Sequence, residues 1–320
     1  GLKALESSAC NPATDAMAPY FLATEVYLNQ KKYKKMSEML TIAVQRNPNQ
    51  LLEEPYKLGD IPIKTIDEGA RALRDKEWVK VYNKAVDLIH KNKVEKAKEQ
   101  IEVAIIIYPG KVENYVTLSG IYLKDENIKT ALSTINQGLD VDDENSILYQ
   151  MKADISEQNN ELEVALELYL KAIKYSDDPG PIMRKLLLIY IDLGENQKSI
   201  DYSNELINKY PDDPDLYYNV GVLYQRLATE IYDESLNEFN TTDKESNPDK
   251  ILNLYKSYKK AREYSYNSRD YFLQASDLEK EGNISSVEAA KDMKKILKNI
   301  DDIFIPSIRK TAREAGLELE

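Results

Sequence analysis

Histidine and cysteine occur once each in 320 residues, as His90 and Cys10. That leaves almost nothing from which to build a Cys/His metal site, a Ser-His or Cys-His nucleophile pair, or a disulfide framework. Glycine (11) and proline (12) are scarce as well, which favours long helices over a turn-rich sheet fold. Basic residues are outnumbered, 43 Lys and Arg against 55 Asp and Glu, for a net charge of -12. Sequence-independent binding to nucleic acid needs a basic footprint and is therefore not expected. No apolar run approaches a membrane span, the best being Ala104 to Tyr108 and Leu186 to Ile191. Phosphate-cradling glycine loops and nucleophile-elbow motifs are missing from the chain. Carboxylates are plentiful, but runs such as Asp140, Asp142, Asp143 and Glu144 read as helix-end caps. The expectation is a protein that is not an enzyme and takes no cofactor or metal.

What is abundant is tyrosine, 23 residues against 4 Phe and 1 Trp, and much of it recurs at a fixed step. Counting 34 residues at a time from Tyr115 gives Tyr149, Met183 and Tyr217; from Tyr122 it gives Ser156, Tyr190 and Tyr224. From Ala131 the same step gives Ala165 and Ser199. Within a unit, Tyr115, Leu118, Ser119 and Tyr122 share one helix face. A polar break at Asp125 to Asn127 follows, and then a second amphipathic run carries Ala131, Ile135 and Gly138. Turn chemistry closes the units, as in Asp177-Asp178-Pro179 and Pro211-Asp212-Asp213-Pro214.

These residues resemble the tetratricopeptide repeat, a helix-turn-helix of 34 residues. Tyr217, Val220, Gly221 and Tyr224 match the first half of its pattern; Ala165, Tyr169 and Ala172, and Ala97, Ile101, Ala104 and Pro109, match the second. A less regular copy runs through Tyr20, Ala23, Tyr27, Tyr33, Met36, Leu40, Ala43 and Pro48. The resemblance implies an all-α, right-handed α-solenoid. It is expected to have N-terminal helices with one imperfect repeat over 1–50, a joining segment over 51–77 broken by Pro55, Gly59 and Pro62, and a long helix over Ile63 to Asn92. Regular repeats are expected over 78–230, an extended last repeat with a polar insertion over 231–283 that forms a helical hairpin, and capping helices over 284–320. The layout is similar to that of tetratricopeptide proteins exported to the bacterial envelope, which implies a periplasmic or envelope location, with the cytoplasm as the alternative. A lipid on Cys10 is not expected, because Lys3 to Glu6 before it is charged.

In repeats of this kind the first helices line the inner surface and meet ligands. By that resemblance the partner-binding residues are Glu113 and Lys124, Gln150 and Asp154, Arg184 and Leu188, and Tyr218, Val222, Gln225 and Arg226. Their mixed charge suits a peptide or protein segment with polar and apolar side chains. A small cationic or polar ligand in an acidic groove is the alternative. A chaperone's carboxylate terminus fits poorly, since the clamp positions hold Gln150, Asp154, Pro181 and Lys185, and Asp154 repels it.

Overall fold

The computed structural model describes residues 14–241, 247–279 and 284–319. Cys10 and most of the expected polar insertion between Asn240 and Asn247 lie outside the described residues. The chain divides into two compact units, Gly1–Lys152 and Ala153–Glu320.

The first unit opens with α1 (Met17–Phe21), which runs into a π-helical turn (Leu22–Tyr27), and α2 (Tyr33–Arg46). The joining segment is not an irregular break. It is a β-hairpin, β1 (Leu51–Leu58) antiparallel to β2 (Ile61–Thr65), and this is the one departure from an all-α chain among the described residues. Gly59 and Asp60 make the turn, with Gly59 at φ +61°, as the first position of a two-residue hairpin turn requires. Pro55 and Pro62 are tolerated because a two-stranded sheet has only edge strands. Leu52 and Ile63 bury one face of the hairpin with Ala16, Ala43 and Ile66.

The long helix α3 (Ile66–His90) starts three residues later than expected, at a capping box. Glu68 N–H donates to Thr65 Oγ1 at 3.3 Å, and Glu68 Oε2 accepts from the Thr65 and Lys64 amides at 3.0 and 2.7 Å. Those amide bonds hold the Glu68 carboxyl below its ordinary value. His90 sits exposed in the last turn, where an imidazole complements the helix dipole.

From here helices alternate: α4 (Val94–Ile107), α5 (Val112–Lys124), α6 (Ile128–Val141) and α7 (Ser146–Gln158), the last running across the boundary between the units. The second unit continues with α8 (Leu162–Lys174), α9 (Gly180–Asp192), α10 (Asn196–Lys209), α11 (Pro214–Thr241) and α12 (Pro248–Leu278). Then come α13 (Ile284–Asn299), a π-helical turn (Ile300–Phe304) and α14 (Ile305–Glu314). Helices α11 and α12 pack along one another, and α13 packs on α12.

The core obeys the 34-residue step. Ala97, Ala131, Ala165 and Ser199 are each fully buried, and so are Ile101, Ile135, Tyr169 and Ser203. The small residues at the first register let paired helices approach closely. The turn between the helices of a pair follows the same step: Asn92, Glu126, Asn160 and Gly194 all adopt positive φ, between 54° and 71°. Asn and Gly suit that conformation; Glu126 takes it against its preference. In the last pair, Gly221 brings α11 against Phe272 of α12, and Ser268 Oγ donates to the Gly221 carbonyl at 2.8 Å. Rings fill the rest of that unit, with Tyr224 stacked on Tyr271 at 5.6 Å and Tyr258 on Phe304 at 4.7 Å.

Candidate functional site

The side chains of interest sit on the first helix of each pair, one position beyond the core register. Residues 82, 116, 150, 184 and 218 are 34 apart and all half-buried; so are 86, 120, 154, 188 and 222, one turn further along the same helix faces. Their neighbours on the core side, Val81, Tyr115, Met183 and Tyr217, are buried. One geometry thus repeats with changing chemistry: Tyr82, Val116, Gln150, Arg184 and Tyr218.

In the first unit Glu113 and Lys124 are exposed and Gln150 is half-buried. Two aromatic residues lead the register. Trp78 and Tyr82 stack at 4.9 Å; Trp78 Nε1 donates to Asn114 Oδ1 at 2.8 Å, and the Tyr82 hydroxyl shares a hydrogen bond with Thr117 at 2.8 Å. Asn114 is fully buried and donates to the Tyr108 carbonyl at 3.1 Å, so it ties α3 to the start of α5. Lys111 Nζ lies 5.0 Å from both the Trp78 and Tyr108 ring centroids and pairs with Asp75 at 3.0 Å. Tyr82 stands one step before Val116, and the spacing alone places it on this face.

In the second unit the charged residues are already paired. Lys185 Nζ is 2.5 Å from Asp154 Oδ1, Arg184 bridges to Asp213, and Arg226 reaches Asp192 at 3.3 Å. Asp154 and the two arginines are therefore each compensated by a partner of their own within the unit. Tyr169, fully buried on α8, sets its hydroxyl 2.5 Å from both Asp154 Oδ1 and Glu157 Oε2. A phenol has one proton, so it donates to one carboxylate at a time. Burial, followed by these two acceptors, raises the Tyr169 pKa far above its ordinary value and keeps the hydroxyl protonated. Leu188 leans on the cluster around Met183, Leu187 and Tyr224. Tyr218 and Val222 pack against Phe272, Ala290 and Met293, so α12 and α13 take up part of their surface. Gln225 stays half-buried and Arg226 exposed. Among the described residues no group of three or more His, Cys, Asp or Glu side chains is placed to hold a metal ion.

Residues 147–179, the pair α7 and α8, match the family model of the tetratricopeptide repeat. Residues 147–179 thus carry a tetratricopeptide repeat, and the 34-residue step extends its pattern to the neighbouring helix pairs. Among curated proteins it is similar to the photosystem I assembly protein Ycf3 of Prochlorococcus marinus (strain NATL2A), 22% identical over 112 residues that cover 32% of this chain and 65% of the relative. The chain thus spans about two thirds of that relative's length. Among solved structures, MamA is 18% identical, with 61% of this chain and 94% of MamA covered and a TM-score of 0.42. PilF of Pseudomonas aeruginosa is 15% identical, with 72% and 94% covered and the same TM-score.

Proposed function

We propose that the protein is a non-enzymatic interaction scaffold that binds a peptide or protein segment along the first helices of its tetratricopeptide repeats. The supporting observation is the register that stays half-buried in five successive first helices while its chemistry changes from Tyr82 to Val116, Gln150, Arg184 and Tyr218. Constant geometry with variable side chains is how a repeat surface reads successive residues of a ligand. The face is nearly neutral, since Asp154, Arg184 and Arg226 are paired internally. That favours a segment of mixed polar and apolar character. It disfavours a small cationic ligand at Asp154 and Glu157, since Lys185 already neutralises Asp154 and Tyr169 occupies one oxygen of each.

The test is site-specific photo-crosslinking in the native host. A benzophenone side chain at Tyr82, Gln150 or Gln225 captures a common protein partner. The same group at Val164 or Leu170, both exposed on the second helix of a repeat, does not. Capture from the second-helix positions alone refutes the reading.

No helix of the described residues is long and apolar enough to cross a membrane. We place the protein in the bacterial cell envelope on the strength of its repeat layout. Recovery of an epitope-tagged chain solely from the cytoplasmic fraction refutes that placement.

A further inference from the structure

A second surface, separate from the repeat face, lies in the first unit where the π-helical turn meets the β-hairpin. A cleft of about 590 Å³ opens there. Tyr20, Phe21 and Glu25 line one side of it and Glu53, Glu54 and Tyr56 the other. Its framework is built rather than incidental. The hydroxyl end of Tyr20 sits where a Cβ on residue 69 would lie, so Gly69 is what lets α3 accept it. Burial is the largest cause of a Tyr20 pKa raised well above its ordinary value, which keeps that hydroxyl a donor.

Three properties of the cleft constrain its occupant. First, its rings face water: Phe21 is 57% and Tyr56 42% exposed, and Leu58 and Ile61 at the hairpin tip are 49% and 64% exposed. Exposed apolar surface of this kind marks a contact site. Second, its charge is of one sign. Glu25, Glu53 and Glu54 line it with no Lys, Arg or His, and none of the three has an ion pair among the described residues. They do not form a metal-binding group, so they call for cationic side chains held separately. Third, backbone is on offer. The hairpin is an isolated two-stranded sheet, and a bulge between Leu51 and Tyr56 lifts Glu53 and Glu54 out of the β1 ladder.

We infer that this cleft is a docking site for a segment of another protein in which Lys or Arg alternates with apolar residues. The basic head groups reach Glu25, Glu53 and Glu54, and their methylene stems and the apolar neighbours lie on Phe21 and Tyr56. The segment runs along the free edge of the hairpin and pairs with it by main-chain hydrogen bonds.

The probe is a short fluorescein-labelled peptide of alternating Lys and Leu, titrated with the full chain and read by anisotropy. It binds the parent protein, while an alternating Glu and Leu peptide does not. Neutralising the cleft with Glu25→Gln, Glu53→Gln and Glu54→Gln together weakens binding about tenfold or more. Removing the same charge elsewhere with Glu99→Gln, Glu102→Gln and Glu126→Gln leaves it unchanged, which separates the cleft from the overall negative charge. Phe21→Ser, at an exposed position that does not hold the fold, also weakens it. Equal binding by the two charge-neutralised proteins overturns the proposal. So does a Lys and Ser peptide that binds as tightly as the Lys and Leu one. Self-association that Phe21→Ser abolishes overturns it too, because the face then belongs to a second copy of the chain. Photo-crosslinking at Tyr82, Gln150 and Gln225 is unaffected by the cleft variants, so failure of either surface is visible separately.

Discussion

The same substitution, Gly to Ala, is expected to act with opposite sign at two helix positions. In the interior of a helix, Ala is favoured over Gly by about 1 kcal/mol. At Gly120, in α5, a new Cβ would meet only the Met151 methyl at 3.9 Å, an ordinary contact. Gly120→Ala should therefore stabilise by about 0.5–1 kcal/mol. At Gly221, in α11, the Cβ would fall 2.7 and 2.8 Å from Cδ1 and Cε1 of Phe272, a ring that is fully buried and has nowhere to withdraw. Overpacking of this kind costs about 1–3 kcal/mol. Pushing the helices apart also weakens the Ser268 to Gly221 hydrogen bond, at about 1 kcal/mol. Set against the propensity gain, the net expectation is a loss of about 2 kcal/mol. Urea unfolding followed by far-ultraviolet circular dichroism measures both. Each variant is compared with the parent over the whole unfolding curve. Phe272→Leu placed in the Gly221→Ala background makes room for the methyl, so the double variant loses less than the sum of the singles. A Gly221→Ala protein as stable as the parent, or a Gly120→Ala protein that is less stable, refutes the reasoning.

Glu126 holds a left-handed backbone at φ +56°, which costs a non-glycine residue about 1–2 kcal/mol; Glu126→Gly should raise stability by about 0.5–1 kcal/mol once the entropy of the unfolded glycine is subtracted, as urea midpoints will register. Asn114→Ala strips the Trp78 indole N–H and the Tyr108 carbonyl of their partner and should cost about 2 kcal/mol in the same assay. The Glu68 carboxyl, held below its ordinary value of 4.5, contributes to the start of α3 at pH above that value and ceases to as pH falls through its depressed one. Hydrogen exchange at the Lys64 and Thr65 amides should stay slow through neutral pH and accelerate, beyond the intrinsic pH effect, only in acid. Glu68→Gln should remove that dependence.

The repeat was legible because close packing imposes one step on every pair of helices. Ala97, Ala131, Ala165 and Ser199 announce it without any structure, and all four turn out fully buried. The hairpin was not read, although Gly59-Asp60 between Leu51–Leu58 and Ile61–Thr65 is a recognisable two-residue turn. Pro55 and Pro62 argue against a strand in general, and it is only the absence of neighbouring strands that admits them. Placement of the first-helix side chains followed from the step, Tyr82 included. Their ion pairs did so unevenly. Asp192 and Arg226 stand one repeat apart, so their meeting follows from the period; Asp154 with Lys185 and Arg184 with Asp213 do not share a register, and long side chains close those gaps. Nothing in the sequence signals that Tyr169 is shared between Asp154 and Glu157, because that depends on the depth of α8 beneath α7.

The placement of its one indole gives the molecule an optical label of its own. Its single indole, Trp78, belongs to the first unit, clamped between Lys111 and Tyr82 and bonded to Asn114, while the stacked pairs Tyr224 with Tyr271 and Tyr258 with Phe304 belong to the second. Emission excited at the red edge of the absorption band therefore follows the loosening of one half of the chain. Near-ultraviolet dichroism sums the ordered rings of both halves, the stacked pairs of the second among them. Denaturation curves from the two signals, overlaid on a single unmodified sample, coincide if the halves melt together and part if the first half melts out of step with the whole.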